Sequence, residues 1–277
     1  MVAGDSAPGE PQAPMTRRRA LVTGASSGIG EAVARLLAAE GYRVALLARR
    51  SAELERVRGE LAGEDHLALT CDVRDEGALR ASFAELDRAF GGLDLLVNNA
   101  GGGYRARVEE LDAETCRGVF DVNVVGLLLV CREALPLLRR GARPVVVDVA
   151  SVLGRRGIPG QAVYAASKAA VCSIGEALRI EWAPDGIAVC TLNPALTATG
   201  FFEAQPNPAG LPAPDMAAAA GPADVAREVL ALDRAPRSER TLRWKWRVLG
   251  LLSVIAPRLA DRLLVRRLGG SWEAPRR

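Results

Sequence analysis

Short apolar runs alternate with longer helical segments along most of this chain, beginning at Arg19. The apolar runs, which we predict to be strands, lie at residues 20–23, 44–47, 67–70, 93–97, 144–149 and 187–192. Helical patterns cover residues 31–40, 76–90, 113–140 and 163–183. A further helical pattern follows the second strand and ends at residue 61. Strands without polar alternation are typical of a parallel sheet that helices cover on both faces. The chain is therefore predicted to be an α/β protein with a single doubly wound parallel sheet.

The composition predicts one soluble domain with a segment added at each end. Of 277 residues, 49% are hydrophobic and 25% are charged, and a net charge of +3 is too small to indicate nucleic-acid binding. One histidine and five dispersed cysteines indicate neither a metal site nor a disulfide framework, and they favour a reducing, cytoplasmic location. We expect residues 1–16 to be a disordered tail and residues 17–236 to be the domain. Within it, residues 197–222 are expected to form a lid over the ligand crevice.

A glycine-rich turn joins the first predicted strand to the first predicted helix. It reads Thr23-Gly24-Ala25-Ser26-Ser27-Gly28-Ile29-Gly30. The glycines allow a tight turn and a close backbone approach, and the helix N-terminus that follows favours an anion such as pyrophosphate. The position between a strand and a helix predicts dinucleotide binding, although the spacing is Gly-x-x-x-Gly-x-Gly rather than Gly-x-Gly-x-x-Gly. We therefore expect the sheet to be of the Rossmann type.

The end of the second strand indicates which dinucleotide is bound. It reads Ala48-Arg49-Arg50 and lacks an acidic residue. An acidic side chain here would bond the ribose 2′-hydroxyl of NAD, whereas arginine accommodates the 2′-phosphate of NADP. NADP(H) is therefore the predicted cofactor and NAD(H) the alternative, with Arg49 favoured over Arg50 as the contact. A solvated arginine pair at a helix start is the other interpretation of these residues.

Tyr164 and Lys168 stand four residues apart in a predicted helix, so they share one face. The chain has three tyrosines, and only two of its 36 basic residues are lysines. A neighbouring ammonium lowers the pKa of a phenol from its ordinary value of about 10. The pair therefore predicts a tyrosine that donates a proton near neutral pH. Ser151, just after the valine-rich strand, can bond the same substrate carbonyl oxygen and stabilise the developing alkoxide.

Five motifs stand in an order that resembles the short-chain dehydrogenase/reductase family over about residues 17–235. They are Thr23-Gly24-x-x-x-Gly28-x-Gly30, Asn98-Asn99-Ala100-Gly101, Asn123, Ser151 and Tyr164-x-x-x-Lys168. The resemblance implies catalysis by Asn123, Ser151, Tyr164 and Lys168. In the implied roles, Lys168 also holds the nicotinamide ribose, and Asn123 anchors a water that links Lys168 to solvent.

The same resemblance implies a set of cofactor-binding residues. They are Thr23, Gly24, Ser26, Ser27, Gly28, Ile29, Gly30, Arg49, Arg50, Asp72, Val73, Asn99, Ala100, Gly101, Tyr164, Lys168, Pro194, Thr197 and Thr199. Thr199 fits the threonine that contacts the nicotinamide carboxamide in the family, and Thr197 is a second candidate. Ala195 departs from the pattern, because family members usually have glycine after this proline.

These predictions converge on an NADP(H)-dependent oxidoreductase that interconverts a ketone and a secondary alcohol. Phe201, Phe202 and Leu211 in the predicted lid, and Leu196 just before it, favour an apolar small-molecule substrate. The alternative is a non-catalytic dinucleotide-binding regulatory protein or a membrane-surface protein. A non-catalytic protein would be expected to lose Tyr164 or Lys168, and this chain keeps both. By resemblance, we expect a homodimer or homotetramer built on the long helices.

Residues 237–277 mix tryptophan, aliphatic residues and arginine, and we predict a basic amphipathic helical extension there. The uncharged run from Val248 to Pro257 is shorter than the roughly 20 residues that a membrane span needs. Two interpretations stay open. The helices pack on their own domain or on a second subunit, or they make peripheral contact with a membrane surface.

Overall fold

The computed structural model describes residues 17–208 and 210–268. The predicted tail at residues 1–16 and the last part of the extension, residues 269–277, lie outside the described residues. A single sheet and helices on both of its sides make up the core of the described chain.

The strands pair in parallel, in the order β3-β2-β1-β4-β5-β6-β7. Their bounds are β1 Arg19–Thr23, β2 Arg43–Ala48, β3 Leu67–Thr70, β4 Leu95–Asn98, β5 Val145–Val149, β6 Ala188–Asn193 and β7 Glu239–Thr241. The chain adds β2 and β3 on one side of β1 and then returns to add β4 on the other side. The strand order therefore reverses between the neighbouring strands β1 and β4. Ligands of such sheets bind in the crevice at the carboxyl ends of the strands at this switch point. The predicted Rossmann-type, doubly wound parallel sheet is confirmed.

Helices cover both faces because the strands are apolar on both sides. The helices are α1 Gly28–Ala39, α2 Ser51–Gly59, α3 Glu76–Phe90, α4 Ala113–Phe120, α5 Leu127–Leu138, α6 Ala162–Glu181, α7 Pro222–Arg234, α8 Trp244–Ile255 and α9 Pro257–Leu268. Leu37, Leu54 and Val229 bring α1, α2 and α7 into the core on one face. On the other face, α3, α5 and α6 bury apolar side chains such as Leu86 and Val130.

The helix predicted over residues 113–140 is divided in the structure. A π-helical turn, Asp121–Gly126, separates α4 from α5. Gly126 lies so close to the loop after β3 that a Cβ there would stand 2.6 Å from Val73 Cγ2. Single π-turns of this kind often occur at functional sites. This one carries Asn123, one of the predicted catalytic residues.

Strand β7 lies in the segment that the sequence assigned to the helical extension. Its three residues pair with Thr191–Asn193 of β6 and complete one edge of the sheet. Glu239 and Arg240 make this strand too polar and too short to be recognised from apolar patterning. Beyond β7, α8 and α9 confirm a helical extension. No helix of the described ranges is long and apolar enough to cross a membrane.

Candidate active site

The hydroxyl of Ser151 and the phenol of Tyr164 meet inside the domain. Ser151 follows β5 and Tyr164 lies in the first turn of α6, and both side chains are buried. Ser151 Oγ accepts a hydrogen bond from Leu153 N at 3.1 Å, and its hydroxyl lies close enough to Tyr164 to lower the pKa of that phenol. Two hydroxyl groups are thus held together where a substrate oxygen could bind both.

Lys168 lies one turn further along α6 and is also buried. Its Nζ donates to Val149 O at 2.8 Å and stands 6.0 Å from the centroid of the Tyr164 ring. A Cβ added at Gly101 would be 3.5 Å from the same Nζ. The ammonium therefore sits between the end of β5, the loop after β4 and the tyrosine, as the Tyr-x-x-x-Lys spacing predicted.

The pKa of Tyr164 differs from the sequence prediction. Burial raises its pKa to about 12, and the neighbouring Ser151 hydroxyl opposes part of this rise. Burial also lowers the pKa of Lys168 to about 8, against the attraction of Cys172 and Asp148. We predicted that Lys168 would lower the pKa of Tyr164, and that prediction is wrong for this structure. Loss of water around the phenolate outweighs an ammonium group that is already hydrogen-bonded to Val149.

Asn123 connects the π-helical turn to two other parts of the site. Its Oδ1 accepts from Gly102 N at 2.8 Å, and its Nδ2 donates to Gly102 O at 2.9 Å. Nδ2 also donates to Ser167 Oγ at 2.8 Å, and that hydroxyl donates to Tyr164 O at 2.7 Å. Asn123 therefore does not bond the backbone of its own helix. It fixes the glycine loop after β4 against the start of α6.

The glycine-rich turn and the loop after β4 form one continuous backbone surface. Thr23 Oγ1 accepts from Asn99 N and Ala100 N, both at 3.0 Å, and Asn99 Nδ2 donates to Thr23 O at 3.0 Å. Gly24 has a φ of +65°, and a Cβ there would stand 2.9 Å from Ala100 Cα. Only glycine fits this close approach. The surface leads from the N-terminus of α1 to Lys168, which suits an extended dinucleotide with its pyrophosphate at the helix.

The structure distinguishes the two arginines after β2. Arg50 Nη2 donates to Ser26 Oγ at 2.9 Å and to Ser27 Oγ at 2.8 Å. The side chain of Arg49 is 68% exposed, and its Nη1 is 3.9 Å from Asp72 Oδ2. Asp72 is held mainly by Arg74, at 2.7 Å. Arg50 is therefore the guanidinium that is fixed over the glycine-rich turn.

The remaining predicted cofactor residues divide into those near the turn and those in the core. A Cβ added at Gly28 would lie 3.2 Å from Thr199 Cγ2, so Thr199 borders the turn. Thr197 instead turns back and donates to Ala195 O at 3.0 Å. Pro194 O accepts from Val152 N at 3.0 Å, which ties the end of β6 to the loop that carries Ser151. Ile29 and Val73 pack their side chains against the two cores.

The predicted lid contacts Tyr164 and a residue that the sequence did not single out. The Phe201 ring lies 5.5 Å from the Tyr164 ring, tilted by 54°. Arg105, which is buried, donates from its backbone to Pro206 O at 3.0 Å and from Nη2 to Leu211 O at 2.8 Å. Arg105 thereby holds the lid to the loop after β4. The sequence did not single out Arg105, because arginine is common in this chain and this position belongs to no motif.

Asp148 is a second residue that sequence reasoning missed. It lies on β5 with no exposed surface, and Asn98 Nδ2 donates to its Oδ1 at 2.8 Å. Its Oδ2 has no hydrogen-bond partner among the described residues. Burial raises its pKa to about 6, and the charge of Lys168 opposes this rise. The sequence could have drawn attention to Asp148, because it is an aspartate within a strand that otherwise consists of valine.

A family model described as short chain dehydrogenase matches residues 18–209. The chain belongs to the short-chain dehydrogenase family. This short-chain dehydrogenase is 35% identical over 254 residues to an uncharacterized oxidoreductase of Mycobacterium tuberculosis, covering 90% of this chain and 98% of the relative. The match to the family confirms the resemblance carried by the five motifs.

Two solved structures share the fold of this short-chain dehydrogenase. A 3-ketoacyl-(acyl-carrier-protein) reductase from Brucella melitensis, complexed with NADH, has a TM-score of 0.73 and 32% identity, covering 81% of this chain and 96% of that one. An alcohol dehydrogenase from Thermococcus sibiricus, complexed with 5-hydroxy-NADP, has a TM-score of 0.73 and 30% identity, covering 82% and 96%. The short-chain dehydrogenase described here is an NAD(P)-dependent oxidoreductase that acts on CH–OH groups.

Proposed function

We propose that this enzyme interconverts a ketone and a secondary alcohol of an apolar small molecule, with NADP(H) as its preferred cofactor. The observation that carries the proposal is the placement of the buried Ser151 hydroxyl beside the Tyr164 phenol, with Lys168 near it and the Phe201 ring against Tyr164. The aromatic ring gives the site an apolar wall, which favours an apolar substrate over a charged one.

In the reductive direction, the two hydroxyl groups have separate roles. Ser151 donates a hydrogen bond to the carbonyl oxygen and holds it beside Tyr164, and Tyr164 transfers its proton to that oxygen as negative charge develops. Bound NADPH supplies the hydride. The ammonium of Lys168 stabilises the phenolate that remains, and Asn123 keeps Gly102 and α6 in place around it. In the oxidative direction, the phenolate of Tyr164 accepts the proton of the alcohol.

The preference for NADP(H) rests on charge at the end of β2. Arg50 is fixed between the hydroxyls of Ser26 and Ser27, and Arg49 extends into solvent next to it. The strand ends without a carboxylate that would repel a 2′-phosphate. Two guanidinium groups and two hydroxyls are suitable donors for a phosphate. The geometry favours Arg50 as the main contact, where the sequence favoured Arg49.

The proposal is tested by titrating the purified protein with NADPH and NADH, and by assaying a panel of ketones. We expect NADPH to bind more tightly than NADH, and Arg50→Ala to weaken NADPH roughly tenfold or more while changing NADH little. Arg49→Ala should have a smaller effect. Arg58→Ala, an exposed arginine on α2 paired with Glu55, is the matched control. Equal affinities in the wild type would overturn the NADP(H) preference.

The catalytic role of Tyr164 is tested in the same experiment. Tyr164→Phe should retain NADPH binding and lose roughly 100-fold or more of its kcat, since it removes only the proton donor. Tyr42→Phe is the control, because Tyr42 is also buried and donates to Asp233 at 2.6 Å, far from the site. Full activity in Tyr164→Phe would overturn the mechanism. Failure of the wild type to bind either nucleotide would favour the alternative of a membrane-surface protein.

We also propose a homodimer or homotetramer in the cytoplasm, with peripheral membrane contact through α8 and α9. Phe120, Val125 and Leu128 are exposed around the π-helical turn, and Ile180 is exposed on α6. These apolar side chains lie on the two helices where the family resemblance implies subunit contact. They support an assembly in which this face is covered by a second copy.

A further inference from the structure

Helix α8 is apolar on both of its faces, which is unusual for a helix on the surface of a domain. Its inner face packs on the domain through Gly250, where a Cβ would stand 3.3 Å from Arg155 Cβ. Its outer face carries Trp244, Val248, Leu251 and Ile255, with exposed fractions of 70, 52, 63 and 73%. Their spacing of i, i+4, i+7 and i+11 aligns them in one stripe. A helix that only packed on its own domain would carry polar residues there.

Helix α9, which begins at Pro257, also has exposed apolar side chains. Leu259 and Leu263 are both exposed and lie four residues apart, so they share one face of the helix. Ala260 and Leu264 are buried on its inner side. We call the surface formed by six of the eight exposed apolar side chains of α8 and α9 the α8–α9 face: Trp244, Val248, Leu251, Ile255, Leu259 and Leu263.

The charges around the α8–α9 face are almost all positive. Residues 243–268 contain seven basic residues and one acidic residue, Asp261. That aspartate is paired with Arg156 of the domain. Among the described residues, no acidic side chain forms an ion pair with the following five cations: Lys245, Arg247, Arg258, Arg262 and Arg266. Arg262 and Arg266 lie beside Leu259 and Leu263 on the helical projection of α9.

The helix pair is held firmly against the domain. Arg156 pairs with Asp261 of α9, and its Nη1 donates to Ser253 Oγ of α8 at 3.4 Å. Arg155 bonds Glu239 of β7 at 2.9 Å and Glu176 of α6 at 2.8 Å. Both arginines belong to the loop that follows Ser151. The α8–α9 face is therefore presented outward by a supported element.

A second copy of this chain is a poor occupant for this face. In a two-fold symmetric contact, a patch meets the same patch on its partner. The basic residues around the α8–α9 face would then meet the same basic residues of the partner, without acidic residues to neutralise them. A partner that complements both features needs an apolar interior and a negatively charged surface. A bilayer with anionic headgroups has both.

We propose that the α8–α9 face docks on the surface of anionic membranes, with its apolar stripe at the level of the headgroups and its arginines on the phosphates. This deepens the peripheral contact proposed above and rests on that part of the proposed function. It does not depend on the reductase chemistry, because the ketone assay and the NADPH titration are run without lipid.

The test is co-sedimentation of the full-length protein with vesicles. We expect binding to phosphatidylcholine vesicles that contain about one-third phosphatidylserine, and weak binding to pure phosphatidylcholine. Raising the salt from about 0.1 M to about 0.5 M should release much of the bound protein, because the Debye length falls. Leu251→Ser with Ile255→Ser, and separately Arg262→Glu with Arg266→Glu, should each weaken binding roughly tenfold or more.

Control variants carry matched changes outside the face. Val108→Ser alters an exposed valine, and Arg58→Glu reverses an exposed arginine, so both should bind vesicles as the wild type does. Absence of wild-type binding to anionic vesicles, or unchanged binding in both pairs of α8–α9 variants, would overturn the proposal. Loss of oligomer mass in Leu251→Ser with Ile255→Ser would assign the face to a second copy instead. RNA binding that competes fully with vesicles and survives the apolar substitutions would assign it to nucleic acid.

Discussion

Burial acts in opposite directions on the titratable residues of the site. It raises the pKa of Tyr164 to about 12 and that of Asp148 to about 6, because each is charged when deprotonated. It lowers the pKa of Lys168 to about 8, because lysine is charged when protonated. Asp148 and Lys168 attract each other, so each opposes the shift of the other. The carboxylate of Asp148, within the sheet, therefore favours the protonated form of Lys168.

Asp148 should make the stability of the protein depend on pH. Its folded pKa of about 6 lies above its ordinary value of 3.8, so the native state binds more protons between these values. Stability should therefore fall as pH rises from about 4 to about 6, by up to roughly 3 kcal/mol, and stay reduced above that window. Asp148→Asn keeps an acceptor for Asn98 and should lose this part of the pH dependence. Urea unfolding at several pH values measures it.

The control for this prediction is Asp87→Asn. Asp87 lies on α3, and its half-exposed side chain pairs with Arg140. This variant should keep the pH dependence of the wild type between pH about 4 and about 6. If Asp148→Asn kept the same dependence as well, the assignment of the raised pKa to Asp148 would be wrong.

At the scale of elements, the helix from Ala113 to Leu138 shows how a local irregularity positions a functional side chain. The π-helical turn adds one residue to the spacing of its hydrogen bonds and re-aims the side chains that follow. Asn123 lies within it and reaches Gly102 and Ser167. The turn is held where Gly126 meets Val73. A regular helix would give the same apolar pattern and a different direction for Asn123.

Two glycines of this helix should respond oppositely to alanine. At Gly126 a Cβ would lie 2.6 Å from the branched side chain of Val73, so Gly126→Ala should destabilise the protein by about 1–3 kcal/mol. At Gly118, in α4, no atom lies within 4 Å of the added Cβ. Gly118→Ala should therefore stabilise the protein by roughly 0.5–1 kcal/mol through helix propensity. Thermal unfolding followed by circular dichroism compares them, and equal effects would show that the π-turn is not held by this contact.

At the scale of the whole molecule, two exposed apolar surfaces among the described residues differ in their charge. The surface around Phe120, Val125 and Leu128 suits a second copy of the chain, in keeping with the proposed oligomer. The α8–α9 face has a rim of positive charge and suits an anionic surface. The two surfaces lie on different elements, so one assembly can use both.

Leu128→Glu should dissociate the proposed oligomer. A carboxylate placed in an apolar contact loses its hydration without gaining a partner. We expect light scattering after gel filtration to show an oligomer for the wild type and a monomer for the variant at micromolar concentration. Val108→Glu introduces the same charge at an exposed position outside these helices, and it should leave the mass unchanged. A monomeric wild type would refute the oligomer.

The sequence predicted the fold because the fold depends on repeated, local patterns. Continuous apolar runs such as Val145–Val149 identify strands buried on both faces, and the glycine spacing after β1 identifies the turn that precedes α1. The order of motifs from Thr23 to Lys168 identified the family. Strand β7 was missed because its three residues are polar and are held in the sheet by pairing with β6. The apolar pattern of a short segment does not show which strand it will pair with.

The sequence by itself determined the order of the first six strands, the family and the pair Tyr164 and Lys168, since these depend on residue types at fixed spacings. Only the tertiary structure decided which arginine lies over the glycine-rich turn, which way Asn123 points and which way the pKa of Tyr164 shifts. It also showed that Asp148 and Arg105 are buried, and that the α8–α9 face is exposed. These properties arise from burial and from contacts between residues that are distant along the chain, and neither is encoded in local spacing.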